Sequence, residues 1–153
     1  MNKIIIEFFA SFLIWLMFAG LIVLWVIDGK IKKEQVIHAL VACFFAWLAS
    51  VTLKEVFQTT RPFLVDGVAA LTLTIPQSGA FPSNHAAVAF ALATTIWLHN
   101  RKVGWLYLAC AVVIGAARVL ANVHYPVDIL GGVTLGIISA FIFEKIHFPV
   151  KRG

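Results

Sequence analysis

Seven polar residues from three separate parts of the chain have side chains that could bind and transfer a phosphoryl group. All of them lie at the end of an apolar run or in a loop between two such runs: Lys54, Arg61, Ser83, His85, Arg118, His124 and Asp128. Polar groups at membrane depth are costly and normally mark a site or a buried pair. Each residue alone could be a snorkelling cation, a helix cap or a neutralising partner. Seven of them at one end of the apolar runs favour a common site.

Three of these residues carry positive charge. Lys54 and Arg61 are seven positions apart, so on a continuing helix both would project from one face, about 10 Å apart along the axis. Pro62 disfavours helical geometry at Arg61, which predicts that the helix ends there with the guanidinium at its tip. Arg118 lies on the last turns of a later apolar run and supplies the third charge. Together they predict a pocket for a multiply charged oxyanion, most simply phosphate.

The segment FPSNHAAVAF (81–90) contains a helix start signal beside these cations. Ser83 follows a proline and precedes an apolar helical run, so it is the expected N-cap. The free backbone N–H groups of Ser83, Asn84 and His85, together with the positive end of the helix dipole, would form an anion site.

Two histidines divide the expected chemistry. His124 is followed four residues later by Asp128, and a carboxylate can fix the tautomer of an imidazole and support its positive charge, so His124 is the candidate nucleophile. His85, at the helix N-terminus, could protonate the leaving oxygen as general acid. The sequence offers no carboxylate cluster to hold magnesium, so the cations would do the work of a metal. No metal or other cofactor is predicted.

The elements that must position these residues are apolar. The chain has 153 residues and is 61% hydrophobic and 12% charged, against roughly 45–50% and 25% in soluble domains. Its mean hydropathy of +0.96 indicates an integral membrane protein, taken as a single domain over residues 1–153. Apolar runs of about 20 residues can cross a bilayer as helices. The sequence therefore predicts an all-α bundle of about five transmembrane helices: Ile4–Ile27, Gln35–Leu53, Asn84–Leu98, Val103–Val123 and Val127–Phe148.

Charge sets the expected orientation. The 12 Lys and Arg residues outnumber the 7 Asp and Glu residues, but no basic stripe with interleaved aromatics indicates nucleic-acid binding. Loops on one side hold most of the cations, which makes that side cytoplasmic by the positive-inside rule: Lys30, Lys32, Lys33, Arg101, Lys102, Lys145, Lys151 and Arg152. The candidate site would then face outward across the cell (inner) membrane. His38 is interpreted as a core histidine and His99 as an interfacial one.

The pattern resembles the three-part signature of the type 2 phosphatidic acid phosphatase family, which includes undecaprenyl-diphosphate phosphatases. The matching residues span about half of the chain: Lys54-x6-Arg61-Pro62, Pro82-Ser83-Asn84-His85 and Arg118-x5-His124-x3-Asp128. The resemblance implies metal-independent hydrolysis of a lipid phosphate or diphosphate through a phosphohistidine at His124, oriented by Asp128, with His85 as the acid. It also implies that the phosphate is held by Lys54, Arg61, Ser83, Arg118 and the backbone of Asn84.

Two residues and the helix count depart from the family pattern. Ala117 stands where a serine usually precedes the arginine of the third part, and Asn84 replaces a commoner glycine. These changes remove one hydroxyl and alter the backbone approach, so activity could be weaker or differently selective. The family commonly has six crossings, against the five expected here.

Within this class, the preferred reaction converts undecaprenyl diphosphate to undecaprenyl phosphate, by analogy with the family. Phosphatidate, phosphatidylglycerophosphate and lipid A 1-phosphate remain open as substrates, as does phosphoryl transfer to another lipid. An anion or proton transporter is the alternative of another class. The expected partners are a phosphorylated lipid substrate and membrane lipids, without nucleic acid, and the sequence indicates no oligomeric state.

Overall fold

The computed structural model describes residues 2–26 and 33–146, and these residues form helices without any strand. The all-α prediction is confirmed, whereas the treatment of residues 1–153 as one domain stays a prediction. Four of the expected cytoplasmic cations, Lys30, Lys32, Lys151 and Arg152, lie outside the described residues. The helices are α1 (Lys3–Ser11), α2 (Leu13–Val26), α3 (Lys33–Phe57), α4 (Pro62–Asp66), α5 (Asn84–His99), α6 (Arg101–Leu120) and α7 (Pro126–Glu144).

Helix α5 forms the centre of the bundle and packs against α3, α6 and α7. Half of its ten buried positions are alanines with no exposed surface, such as Ala87 and Ala91. Large apolar side chains instead cover the outside of the neighbouring helices, for example Leu106 and Leu130, which are 64% and 65% exposed. This distribution suits a bundle whose outer surface contacts lipid, because hydrocarbon removes the need to bury large apolar groups.

Glycines of α7 bring that helix close to α5. A Cβ atom on Gly132 would stand 2.5 Å from the carbonyl oxygen of Ser83, and one on Gly136 would stand 2.7 Å from the backbone nitrogen of Ala91. Both distances are far below ordinary van der Waals contact, so no larger residue fits without moving the helices apart. The GGVTLG segment (131–136) therefore permits close packing of α7 on α5.

Among the described residues, three stretches are long and apolar enough to cross a membrane: 33–66, which covers α3 and α4, then α6 and α7. The pair α1 and α2 makes a fourth if the two helices are counted as one bent span. Helix α5 has 16 residues, about 24 Å, which is shorter than a hydrocarbon core of about 30 Å. The multi-pass character of the chain is thus supported, while the count of five crossings stays a prediction.

The first apolar run is not the continuous helix that was expected. It divides into α1 and α2, whose axes differ by 49°. At the break, Arg118 Nη1 donates a hydrogen bond to the carbonyl oxygen of Ala10 at 3.1 Å. In an unbroken helix that oxygen would accept from the N–H of Ile14. A side chain that enters the hydrogen-bond ladder is a common cause of a sharp kink.

Candidate active site

The candidate residues converge where α3 and α6 end and α5 and α7 begin. A cavity of about 350 Å³ lies there, and six of the eight candidates line it: Lys54, Arg61, Asn84, His85, Arg118 and His124. The other two, Ser83 and Asp128, are buried and do not line the cavity. Three chain segments that are distant in sequence therefore meet at a single level of the bundle.

The cationic side of the cavity is built by α3 and the turn that follows it. Helix α3 ends at Phe57 and Gln58 adopts φ 42°, so the continuing helix expected between Lys54 and Arg61 is wrong. Arg61 has extended backbone and begins α4, with Pro62 as its first residue. This agrees with the general rule that a proline disfavours helical backbone geometry in the residue before it. The turn brings the guanidinium back toward the end of α3.

Backbone carbonyls of the loop after α4 fix both cations. Lys54 Nζ donates to the oxygens of Gly79 at 2.7 Å and Ala80 at 3.1 Å. Arg61 donates from Nε to Ser78 O at 2.7 Å, and from Nη2 to Gly79 O at 2.9 Å. Because carbonyl oxygens carry no full negative charge, the two cations are held in place without being neutralised.

Arg118 occupies the opposite wall and is also anchored by a backbone carbonyl, that of Ala10. Its Nε atom is buried and has no hydrogen-bond partner among the described residues. Within those residues, the ion pairs involve only histidines, so Lys54, Arg61 and Arg118 pair with no carboxylate. The cavity wall therefore retains net positive charge, with Asp128 as the nearby carboxylate among the described residues, as an oxyanion site requires.

His124 lies in the turn between α6 and α7 with its two ring nitrogens in different surroundings. Arg61 Nη1 is 3.3 Å from Nε2, and a guanidinium only donates hydrogen bonds, so Nε2 must be the acceptor. The proton of the neutral ring is then on Nδ1, which lies 3.4 Å from Asp128 Oδ2. That separation is long for a hydrogen bond and its geometry does not qualify as one, so the tautomer follows from the contact with Arg61, and Asp128 lies beside the protonated nitrogen. The unprotonated Nε2 is the nitrogen that faces Arg61, itself a residue of the cavity wall.

Burial lowers the pKa of His124 to about 4. Asp128 acts in the opposite direction, whereas the positive charges of Arg118, Arg61 and Lys54 lower the pKa further. An imidazole with such a pKa is neutral at pH 7, so its nitrogen lone pair is available to attack phosphorus.

Asp128 is held rigidly behind the histidine. Its Oδ2 atom accepts a hydrogen bond from the backbone N–H of Tyr125 at 2.8 Å, and its backbone oxygen accepts from the N–H of Ser83 at 2.9 Å. The second bond joins the start of α7 directly to the start of α5. His124 and His85 therefore belong to one connected piece of structure.

Ser83 is the N-cap of α5, as predicted, and its side chain accepts from the N–H of Ala86 at 3.4 Å. Asn84 lines the cavity, but its side chain is held by Ser50, whose hydroxyl lies 2.6 Å from Asn84 Oδ1. The sequence analysis missed Ser50. Its position one helical turn before Lys54 places it on the same face of α3, and this spacing could have identified it.

Groups that could hold a metal ion converge elsewhere in the bundle. Among the described residues, the histidine, cysteine and carboxylate side chains that meet with suitable spacing are His38, His99 and Glu144. The cavity itself has Asp128 as its neighbouring carboxylate, and this group faces His124. The cavity therefore suits binding of an oxyanion by cations and attack by a neutral imidazole.

Comparisons with known proteins identify the family of this chain. Residues 35–152 match the family model described as the PAP2 superfamily. The chain is 29% identical over 140 residues to the bacitracin transport permease protein BcrC of Bacillus licheniformis, covering 91% of this chain and 69% of that protein. It is 28% identical over 127 residues to the undecaprenyl-diphosphatase BcrC of Bacillus subtilis, covering 82% of this chain and 64% of that protein. The chain thus spans about two thirds of the length of these relatives.

A solved structure shares the fold. The crystal structure of Aquifex aeolicus LpxE superposes with a TM-score of 0.78 at 29% sequence identity. The match covers 94% of this chain and 86% of that chain. The arrangement of α1–α7 is therefore that of a known membrane-protein fold, and it extends over nearly all of the sequence.

Proposed function

This chain belongs to the PAP2 superfamily, and on that premise we propose that it is an integral membrane lipid phosphatase that acts through a phosphohistidine at His124. The preferred substrate is undecaprenyl diphosphate, which would be converted to undecaprenyl phosphate and inorganic phosphate. The relative from B. subtilis that is named undecaprenyl-diphosphatase supports this choice.

The observation that carries the proposal is the environment of His124. Arg61 donates toward Nε2, and Asp128 faces Nδ1, so the lone pair of the neutral ring faces a cation of the cavity wall and becomes available to phosphorus when Arg61 donates to a phosphate oxygen instead. A nucleophile, its orienting carboxylate and its electrostatic partners thus occur in one arrangement.

The reaction proceeds in two steps. The Nε2 lone pair of His124 attacks the terminal phosphorus, and the bond from that phosphorus to the bridging oxygen breaks. The electron pair of that bond remains on the bridging oxygen of undecaprenyl phosphate, which receives a proton from the imidazolium form of His85, a form that the negative charge of the bound diphosphate favours. Water then attacks the phosphohistidine, His85 takes a proton from the water, and inorganic phosphate leaves with His124 restored.

Charge stabilisation comes from the side chains that surround the phosphate. Lys54, Arg61 and Arg118 would contact the oxygens on which negative charge accumulates, and the N-terminus of α5 adds its backbone N–H groups. Because these donors are held by backbone carbonyls before substrate binds, little reorganisation is needed in the transition state. This arrangement supports a mechanism that is independent of divalent metal.

The remaining part of the cavity suits a lipid tail. It is lined by apolar side chains of α2, α3 and α5: Ile14, Trp15, Phe18, Trp47 and Val88. Trp15 and Trp47 are 68% and 43% exposed, so the apolar lining continues to the outer surface between α2 and α3. A hydrocarbon chain could leave the cavity there and enter the bilayer while its phosphate remains at the cations.

A transporter is the second candidate, because the relative from B. licheniformis is named a transport permease. The distribution of charge opposes it. Residues 86–98, 103–117 and 129–143 contain no Asp, Glu, Lys or Arg, so no charged path connects the cavity with the other end of the bundle. A phosphatase needs its charges at one level, whereas an ion path needs them at several.

The proposal is tested by phosphate release from the full chain purified in detergent, in EDTA at low temperature. The panel comprises an isoprenyl diphosphate, phosphatidate, phosphatidylglycerophosphate and lipid A 1-phosphate. We expect the diphosphate to give the highest kcat/KM and vanadate to inhibit. Loss of activity in EDTA that magnesium restores would contradict metal independence, and absence of phosphate release from every substrate would contradict the phosphatase.

The covalent step has a separate test. Acid-quenched reactions with labelled substrate should trap a phosphoenzyme in the wild type and none in His124→Ala. His85→Ala serves as the control, because with an activated aryl phosphate it should still form the intermediate. A phosphoenzyme that persists in His124→Ala would overturn the assignment of the nucleophile.

A further inference from the structure

A second cluster of chemically capable side chains lies at the end of the bundle opposite the candidate active site. His38 is in the second turn of α3, His99 is the last residue of α5, and Glu144 is the last residue of α7. One potential ligand atom from each lies within 4.8 Å of the other two. Glu144 Oε2 is 3.4 Å from His99 Nε2 and 3.8 Å from His38 Nδ1.

Backbone carbonyls determine which ring nitrogens face the carboxylate as acceptors. His38 Nε2 lies 2.7 Å from the carbonyl oxygen of Ile146, and His99 Nδ1 lies 2.9 Å from that of Thr95. A carbonyl oxygen only accepts hydrogen bonds, so both of these nitrogens carry hydrogen. In the neutral rings, His38 Nδ1 and His99 Nε2 are then the lone-pair nitrogens, and both point at Glu144.

Three electron-pair donors therefore converge on a small volume. The Oε2 atom of Glu144 is buried and accepts no hydrogen bond from the described residues. Lone pairs so arranged repel one another unless a cation or additional protons lie between them. The two histidines are shielded from solvent, with side chains 5% and 11% exposed, whereas the side chain of Glu144 is 34% exposed.

We propose that His38, His99 and Glu144 bind a divalent transition-metal ion, with zinc as the best fit. Two imidazoles and one carboxylate are a common zinc ligand set, and tetrahedral coordination would leave one position for water. Metal–ligand bonds of about 2.0–2.1 Å require the ligand atoms to be roughly 3.3 Å apart, close to the observed 3.4 and 3.8 Å. Magnesium and calcium prefer oxygen ligands, so the two imidazoles select against them.

The groups around the ligands also fit a metal site. A histidine that binds a metal through one ring nitrogen usually donates its other N–H to a backbone carbonyl or a carboxylate, which fixes the orientation of the ring. Both histidines already make such a bond, to Ile146 and Thr95. The orientation needed for coordination is therefore built into the fold.

Such an ion would join one end of α3, one end of α5 and one end of α7. The opposite ends of these helices contribute residues to the candidate active site. Helix α5 separates His99 from His85 by 14 positions, or about 21 Å, so the ion would take no part in phosphoryl transfer. It would stabilise the folded state because only that state assembles the ligands. Removing it should therefore lower thermal stability without abolishing activity at low temperature.

The test uses the full chain purified in detergent without a polyhistidine tag and stripped of metal with a chelator. One equivalent of zinc should remain bound after desalting, as counted by mass spectrometry. At a free zinc concentration of about a hundred times Kd, zinc should raise the Tm of the wild type by roughly 5–10 °C. His99→Gln and Glu144→Gln should each weaken zinc binding at least about tenfold. Glu55→Gln, which removes an exposed carboxylate near the other end of α3, should bind zinc like the wild type.

Circular dichroism of the metal-free variants checks that each is folded before zinc is added. The stoichiometry and Tm shift of the wild type need no variant, so a variant that fails to fold leaves these measurements intact. Absence of a zinc-dependent Tm shift in the wild type would overturn the proposal. Equal zinc binding by wild type, His99→Gln and Glu144→Gln would also overturn it. A cluster stabilised by acid but indifferent to zinc would show that protons, rather than a metal, lie between the three groups.

Discussion

At the scale of single residues, Asp128 has two structural functions that are separable by mutation. Its carboxylate faces His124 and accepts from the backbone of Tyr125, while its backbone oxygen accepts from Ser83. A change confined to the carboxylate leaves the backbone link between α5 and α7 in place. Substitution by asparagine therefore examines the electrostatic function without removing this link.

Asp128→Asn should lower kcat by about a hundredfold or more, because the support for the imidazole is weakened. The acid limb of kcat/KM should also move to lower pH. Asp128 raises the pKa of His124 against the larger effect of burial, so loss of its charge lowers that pKa further, and the neutral nucleophile persists to lower pH. The wild type and Asp128→Asn are compared on the same substrate, so ionisation of the substrate affects both pH profiles equally. A limb that moves to higher pH would contradict the pairing.

His85→Ala should affect substrates according to their leaving groups. An alkoxide leaving from phosphatidate needs protonation, whereas a phosphate leaving from a diphosphate is stable without it. We expect kcat for phosphatidate to fall by about 10²–10⁴-fold and kcat for an isoprenyl diphosphate or an aryl phosphate to fall much less. Rates on the three substrates measure this, and an equal loss on all three would remove His85 from the role of general acid.

Residue types and spacing were enough to predict which side chains would meet. They could not predict how those side chains are held, because the carbonyls of Ser78, Gly79 and Ala80 that fix Lys54 and Arg61 belong to backbone in a loop. A backbone carbonyl has no signature in the sequence. The zinc-ligand arrangement was missed for a similar reason: His38, His99 and Glu144 are far apart along the chain and follow no spacing rule.

At the scale of helices, the glycines of α7 determine how closely the two histidines approach each other. Gly132 allows the second turn of α7 to lie against the carbonyl of Ser83, at the N-cap that carries His85 into the cavity. The distance between the starts of α5 and α7 therefore depends on the absence of one side chain.

Gly132→Ala should lower stability by about 1–3 kcal/mol through overpacking and should reduce kcat by separating α5 from α7. Its Cβ atom would stand 2.5 Å from backbone and 2.8 Å from Ala86 Cβ, neither of which can rotate away. Gly115→Ala is the matched control, since its Cβ atom would meet only the side-chain Cγ2 of Ile129 at 2.9 Å. Thermal unfolding in detergent compares them, and equal Tm values would show that α7 accommodates the methyl group.

Helix ends and breaks were the least predictable elements. Hydropathy located the apolar runs, but the division of the first run into α1 and α2 depends on Arg118, a residue more than a hundred positions away that bonds to Ala10. The early end of α3 at Phe57 likewise depends on the loop that receives Arg61. Such contacts between distant segments are decided by tertiary structure, which a local pattern does not contain.

At the scale of the whole molecule, burial separates two kinds of positive charge. The cations of the candidate site, Lys54, Arg61 and Arg118, are 3–5% exposed and belong to the cavity. The described cations at the opposite end, Lys33, Arg101, Lys102 and Lys145, are exposed at the bundle surface. The positive-inside rule counts charges in loops near the ends of the membrane helices, and the exposed set lies in the loops expected to be cytoplasmic, so the orientation stays a prediction.

This orientation predicts which cysteines an impermeant thiol reagent can reach in intact cells. Gln77→Cys should be labelled from outside, because Gln77 is exposed in the loop over the cavity and that loop should be extracytoplasmic. Lys102→Cys is equally exposed at the opposite end and should be labelled only after lysis. Both changes are made in a chain with Cys43→Ala and Cys110→Ala, so that neither native thiol contributes. The reverse pattern would turn the site toward the cytoplasm. A phosphatase in that orientation could not act on lipid phosphates of the outer leaflet. The labelling pattern therefore tests both the topology and the leaflet from which the cavity could receive its substrate.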